Sequence, residues 1–335
     1  MHAALIKSWT CPSPTYTLIP NPPTRPPTHL QLKILAVGIP RVVRLRAQGK
    51  HPTAKSASLP YDPSIDGVGI DEESERMYYI LPLSAALLAE YVNVERSQLV
   101  PLGPGCDPVE IAGMVNPVSS SWMALRRRAT GDVQGKTVLV IGATSKSGRA
   151  AVAVARFLGA RRVVGVARVE AGLRGVEGLD GWVISSNMSS DGKSGARSGK
   201  GFGLPDWVGP VHVVLDYVGG SVAVGVLESA EIEDGEELQY IQVGNLATEQ
   251  GNGGGEKHMF ETLPGHLISR KPISIRGSGM GSFSRDDLRG EMPALMAFLA
   301  EMKAPFGIVS APMSEVESAW DTEDTEGSRL VIVPA

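Results

Sequence analysis

The chain has 335 residues, with 32 Lys and Arg against 36 Asp and Glu and a formal net charge of -4 at pH 7, so its charge gives no case for binding nucleic acid or an anionic membrane. It is long enough for two domains with substantial cores, and it contains no apolar stretch of membrane-spanning length. Cys11 and Cys106 are too few for a disulfide scaffold or a four-cysteine zinc site, and the start, MHAALIKSWT, lacks a long apolar core and a cleavage pattern, so the expected location is the cytoplasm.

Residues 12–27 are proline-rich. Short apolar runs follow at 32–37, 77–81 and 87–94, separated by turns, and predict an irregular, mostly β domain. Within it RVVRLRAQGK is readable equally as a solvated basic face or as a stretch from which Arg44 reaches the cleft. From about Met114 the pattern changes to alternating strands and helices. Strands are predicted at 138–141, 162–166, 182–185, 211–217, 238–243 and 272–277, an alternation that argues for a parallel sheet covered by helices. Segments 186–203 and 249–256, rich in Gly with Ser and Lys in the first, read as loops. The end of the chain, IVSAPMSEVESAW and then SRLVIVPA, offers strand, short helix and strand.

The unit from Thr137 to Arg168, TVLVIGATSKSGRAAVAVARFLGARRVVGVAR, carries the most chemistry. An apolar strand enters the turn Gly142, Ala143, Thr144, Ser145, Lys146, Ser147, Gly148, and a helix leaves it and stops at Gly159. A helix start presents unpaired N–H groups and the positive end of the macrodipole, which suits the pyrophosphate of a dinucleotide. The expected middle glycine is Ser145, a departure from the three-glycine fingerprint. After the second strand, where NAD-binding proteins commonly place Asp or Glu, stand Ala167 and Arg168. A guanidinium there suits the extra phosphate of NADP, so NADPH is the expected cofactor, with Lys146 as a second phosphate contact or a solvated turn residue.

With these elements in place the chain resembles the medium-chain dehydrogenase/reductase superfamily, in its zinc-free, quinone-oxidoreductase-like branch. The marks are LPYDPSIDGVG at 59–69, NPVSSSWMALRRR at 116–128, the turn at 142–148, VVLDYVGG at 213–220, YIQVGN at 240–245 and IRGSGMGSFSRDDL at 275–288, in that order and spacing. The resemblance implies an α/β protein: a GroES-like β-barrel domain from residues 1–113, a Rossmann doubly wound domain from 114–304, and a return to the first domain over 305–335. It places nicotinamide and substrate in a cleft between the domains. The zinc-dependent members' ligand positions fall on Pro40, Ile65 and Asn116, so no catalytic metal is expected.

Without a metal, carbonyl or enone reduction needs a placed hydride, a polarised acceptor and a proton source. Ser120 aligns with the family's hydroxyl beside the nicotinamide, or else Ser119–Ser121 cap a helix from Trp122 to Arg128. Asn116 is a candidate donor to a substrate oxygen, or a turn residue before Pro117. Tyr217, at the end of a strand, and Tyr61 are candidate proton donors; packing is the plainer reading for Tyr217. Asp66 reads as a paired buried charge. Asp216, Gly244, Asn245, Gly277 and Ser278, at or after later strands, are the remaining cofactor candidates. The expected activity is zinc-independent, NADPH-dependent reduction of a quinone, enone or related carbonyl compound. The alternatives are a catalytically weak nucleotide-binding scaffold and a zinc-free alcohol dehydrogenase. The family also suggests a homodimer, with the strand at 272–277 as the joining edge.

Overall fold

The computed structural model describes residues 1–185, 202–244, 265–321 and 327–334. The chain divides into two compact units: Met1–Asn116 with Arg289–Ala335, and Pro117–Leu288.

The first unit begins with an antiparallel hairpin, β1 (His2–Leu5) on β2 (Thr15–Leu18). Its longest strand is β3 (His29–Gly38), in which Leu30, Leu32, Ile34 and Ala36 turn inward while Gln31 and Lys33 are more exposed, the period-two pattern of a sheet with one covered face. Helix α1 (Arg41–Ala47) follows, then β4 (Gly67–Asp71), β5 (Arg76–Ile80), β6 (Tyr91–Glu95), β7 (Leu99–Pro101) and α2 (Pro108–Met123). The basic stretch at α1 is solvated at Arg41 and Lys50 but not throughout. Arg46 is buried, donating from Nε to Pro63 O at 2.8 Å, and Arg44 donates to Trp320 O at 2.7 Å and lies over the Trp320 ring. Backbone carbonyls and aromatic faces attract these cations more specifically than charge counting along the sequence could reveal.

The second unit contains β8 (Thr137–Ile141), α3 (Lys146–Phe157), β9 (Arg162–Ala167), α4 (Glu170–Arg174), β10 (Gly181–Ile184), β11 (Val213–Asp216), α5 (Gly220–Ser229), β12 (Leu238–Gln242), α6 (Gly265–Arg270) and β13 (Ile273–Gly277). All six strands run parallel in the order β10-β9-β8-β11-β12-β13. That is the doubly wound Rossmann order, and its direction reverses between β8 and β11, where such sheets bind ligands at the carboxyl ends of the strands. Every residue of β8 is buried, as a central parallel strand requires.

The chain ends with α7 (Arg285–Glu301), β14 (Ile308–Pro312), α8 (Val316–Asp321) and β15 (Arg329–Val333). β15 pairs antiparallel with β3, completing a sheet ordered β14-β15-β3-β4-β5-β7 with β6 also on β3. The divisions between the units fall inside α2 and α7. Among the described residues no helix is long and apolar enough to cross a membrane.

Candidate nucleotide site

The turn after β8 is shaped by two glycines for different reasons. Gly142 has φ +86°, a left-handed conformation that favours glycine, and a Cβ on it would stand 2.9 Å from Val218 Cγ2. Gly148 lies where a Cβ would come within 2.1 Å of Gly142 O, so only glycine lets α3 start this close to the strand end. Ser145, in the place of the missing glycine, is the N-cap of α3: its Oγ accepts from Gly148 N at 3.0 Å and donates to Gly142 O at 2.8 Å. Its φ of -70° and ψ of 160° are extended backbone open to any residue, so the fold does not demand glycine there. The first backbone bond of α3 is Arg149 N to Ser145 O at 2.8 Å, so Lys146 and Ser147 stand at the N-terminal end of the helical ladder. Arg168 follows the last residue of β9 and is exposed.

The end of β11 supplies the next group. Asp216 is fully buried, and its carboxylate accepts from Val218 N at 2.7 Å, from Gly219 N at 2.9 Å and from the Tyr240 hydroxyl. Burial pushes this carboxyl up, and those hydrogen bonds pull it back. Both oxygens of Asp216 are thus engaged in holding the turn after β11. Tyr240 was not legible as part of this arrangement, because a tyrosine inside an apolar strand reads as packing.

Tyr217 is almost wholly buried, and its hydroxyl lies 3.5 Å from Ser120 Oγ. Burial holds the phenol neutral, pushed up to about 12. Ser120 itself donates to Pro117 O at 2.7 Å, and Ser121 to Val118 O at 3.0 Å. These serines sit inside α2 rather than capping a later helix, since Pro117 is accommodated within the helix and Ala124–Arg128 continues it as a π-turn. Asn116 likewise lies in α2, one turn before Ser120, and not in a turn. Gly244 donates its N–H to Asp216 O at 3.0 Å, and a Cβ on it would stand 2.9 Å from Tyr217 O. Ser278 donates its N–H to Gln242 O at 2.8 Å, and its buried Oγ has no hydrogen-bond partner among the described residues. Gly277 is exposed and accepts from Arg128 Nε at 2.8 Å. Asn245 lies outside the described residues. The sheet thus brings Gly142–Gly148, Tyr217, Ser120, Gly244 and Ser278 to the carboxyl ends of its strands. The close start of α3 on the end of β8, which Gly142 and Gly148 permit, and the unpartnered Ser278 hydroxyl fit a dinucleotide.

Tyr61 belongs to the other unit. Arg46 lies over its ring at 5.4 Å, Trp9 at 5.6 Å between centroids, and its buried hydroxyl has no hydrogen-bond partner among the described residues. Burial pushes this phenol up. In the same unit Asp66 is buried and accepts from Tyr79 OH at 2.9 Å, and burial raises its carboxyl to about 6 against the pull of Tyr79 and Arg329. The group is buried as expected, but its hydrogen-bond partner is a tyrosine, and Asp66 Oδ1 has none among the described residues. Among the described residues no cluster of three or more His, Cys, Asp or Glu side chains is placed to hold a metal ion.

A Rossmann unit with a glycine-cradled turn, joined in one chain to a mostly antiparallel β unit that receives both chain ends, defines a two-domain nucleotide-dependent oxidoreductase fold. Known proteins agree. The chain is 68% identical, across the whole of both chains, to a protein of Emericella nidulans named as a probable NADPH-dependent quinone reductase, tdiC. The fold matches the quinone oxidoreductase of Thermus thermophilus, whose structures include a complex with NADPH, with a TM-score of 0.71 at 23% identity over 100% of both chains. It also matches an NAD-dependent alcohol dehydrogenase with a TM-score of 0.73 at 18% identity over 100% of both chains. No protein-family model matches the chain. The chain belongs to the medium-chain dehydrogenase/reductase superfamily, in its quinone-oxidoreductase-like branch, with a GroES-like unit and a Rossmann unit.

Proposed function

We propose that this chain is an NADPH-dependent quinone reductase. The observation that carries the reading is the whole-length 68% identity to the Emericella nidulans protein of that name, and the geometry of the turn agrees with it. NADPH, when bound, supplies the hydride. The start of α3 at Lys146 and Ser147 would face its pyrophosphate, with the turn from Gly142 to Thr144 beside it, and Arg168 would bind its extra phosphate. Gly244 and Ser278 would lie along the nicotinamide half, with Gly277 beside them and Asn245 as a further candidate.

Hydride reaching a quinone places negative charge on the substrate oxygen, and that oxygen needs a hydrogen-bond donor and then a proton. Tyr217, held neutral by burial, is the donor we assign, with Ser120 Oγ 3.5 Å from its hydroxyl and solvent as the source of the replacing proton. Asn116 and Tyr61 are further candidate contacts for a substrate oxygen. The donor set at Pro40, Ile65 and Asn116 is unsuited to zinc, so the reaction is proposed to need none. The same reading carries a cytoplasmic location and a homodimer joined through β13, the outer strand of its sheet.

The test is NADPH oxidation by the purified chain with a panel of quinones, enones and simple aldehydes, before and after a chelator. Turnover on quinones, unchanged by the chelator, is expected. Tight NADPH binding with no turnover on any acceptor would overturn the catalytic reading in favour of a binding role. NADP-dependent oxidation of alcohols without quinone reduction would instead favour an alcohol dehydrogenase.

A further inference from the structure

One side chain joins the turn after β8 to the segment after β9. Arg149, on the first turn of α3, donates from Nε to Thr144 O at 3.3 Å, from Nη1 to Gly175 O at 2.6 Å and from Nη2 to Gly172 O at 3.4 Å. Thr144 belongs to the glycine turn, Gly172 to α4, and Gly175 caps the end of α4. The two segments also touch directly: a Cβ on Gly172 would stand 3.0 Å from Thr144 Cγ2. With five residues α4 is too short to be stable alone, and it buries a single side chain, Leu173, against β9 at Gly165. It begins two residues after Arg168.

We propose that Arg149 is a positioning residue for cofactor choice. By fastening α4 to the glycine turn it sets the distance between the pyrophosphate donors and Arg168, and so favours dinucleotides that carry a 2′-phosphate over those that do not. The inference rests on the reading above, in which the turn and Arg168 hold NADPH. Three carbonyl acceptors on two segments call for a planar, five-donor fork; a lysine ammonium, a point charge on a flexible stem, cannot span them. Three of its five N–H groups, one from each nitrogen, are spent on backbone, and its effect on the phosphate is exerted through Arg168.

The experiment measures NADPH and NADH dissociation constants for the full chain and for Arg149→Met, Arg149→Lys, Arg168→Gln and the double variant Arg149→Met with Arg168→Gln. Arg149→Met is expected to lower the NADPH-over-NADH preference about tenfold, equivalent to ~1.4 kcal/mol, almost entirely through weaker NADPH binding. Arg149→Lys should recover only part of this, and the double variant should match Arg168→Gln, because both act on one contact. Equal weakening of NADPH and NADH by Arg149→Met, or an unchanged preference, would overturn the proposal. Arg168→Gln leaving the preference unchanged would mark a different failure, that of the cofactor reading itself. Should Arg149→Met not fold, Gly172→Ala, which pushes α4 off Thr144, must shift the preference in the same direction or the proposal falls.

Discussion

Ser145 gives the sharpest test of how this turn works. Changing it to Ala removes the acceptor for Gly148 N and the donor to Gly142 O, both of which lie in a partly buried turn. Loss of an N-cap serine costs about 1 kcal/mol, whereas glycine at an N-cap costs a few tenths. In a unit the size of Pro117–Leu288, about 1 kcal/mol corresponds to a melting shift of roughly 3 °C. Ser145→Ala should therefore melt roughly 3 °C lower without nucleotide, while Ser145→Gly stays within about 1 °C. NADPH affinity should follow the same order, since the cap fixes the direction of the first-turn N–H groups. Calorimetry without nucleotide and a fluorescence titration with NADPH measure the two quantities. An alanine variant as stable as the unsubstituted chain would refute the cap. A glycine variant that bound NADPH about tenfold more tightly would show that the hydroxyl obstructs the phosphate, contrary to the extended backbone and inward hydrogen bonds of Ser145.

Three other substitutions probe separate parts of the chain. Gly148→Ala sets a Cβ against Gly142 O and should destabilise the Rossmann unit by about 2 kcal/mol or more while weakening NADPH, measured by denaturant titration and binding; a neutral substitution would contradict the close approach. Tyr217→Phe should lower kcat for quinone reduction about tenfold or more, and no tyrosine ionisation should appear in the pH–rate profile through neutral pH because burial holds the phenol near 12; an unchanged kcat would remove Tyr217 as donor. Asp66, at about 6 in the folded chain against an ordinary 3.8, keeps its proton more tightly folded than unfolded, so its contribution to stability is lost as pH rises through that interval, by about 3 kcal/mol in all. Asp66→Asn should flatten that part of a denaturation series taken from pH 4 to 7, and a variant with the same slope would refute the assignment.

Much of the architecture was legible because its signals are local. The continuous apolar run of β8, the helical spacing of small residues in α3 and the stop at Gly159 depend on residues within a few positions of each other, and the observed bounds differ from the expected ones by a residue or two. The alternation of strands and helices likewise implied a parallel sheet. The fate of individual polar groups was less legible. The basic stretch at α1 turned out to be a set of guanidinium contacts to Pro63 O and Trp320 O, the latter 276 positions away in the chain. The serines of NPVSSSW lie inside α2 because the helix absorbs Pro117, flanked by the buried residues 111–115 and 121–123.

The sequence by itself determined the family, the two kinds of domain and the place of the glycine turn, since each rests on short motifs or on periodicity. Only the tertiary structure decided what the charged and hydroxyl groups do. Ser145 caps a helix, Asp216 is taken by Val218, Gly219 and Tyr240, Ser120 stands beside Tyr217, and Arg149 spans two segments. The physical reason is that a hydrogen bond depends on where the backbone brings its two ends, and in each of these cases except Ser145 a partner comes from another strand or helix whose approach no local pattern encodes.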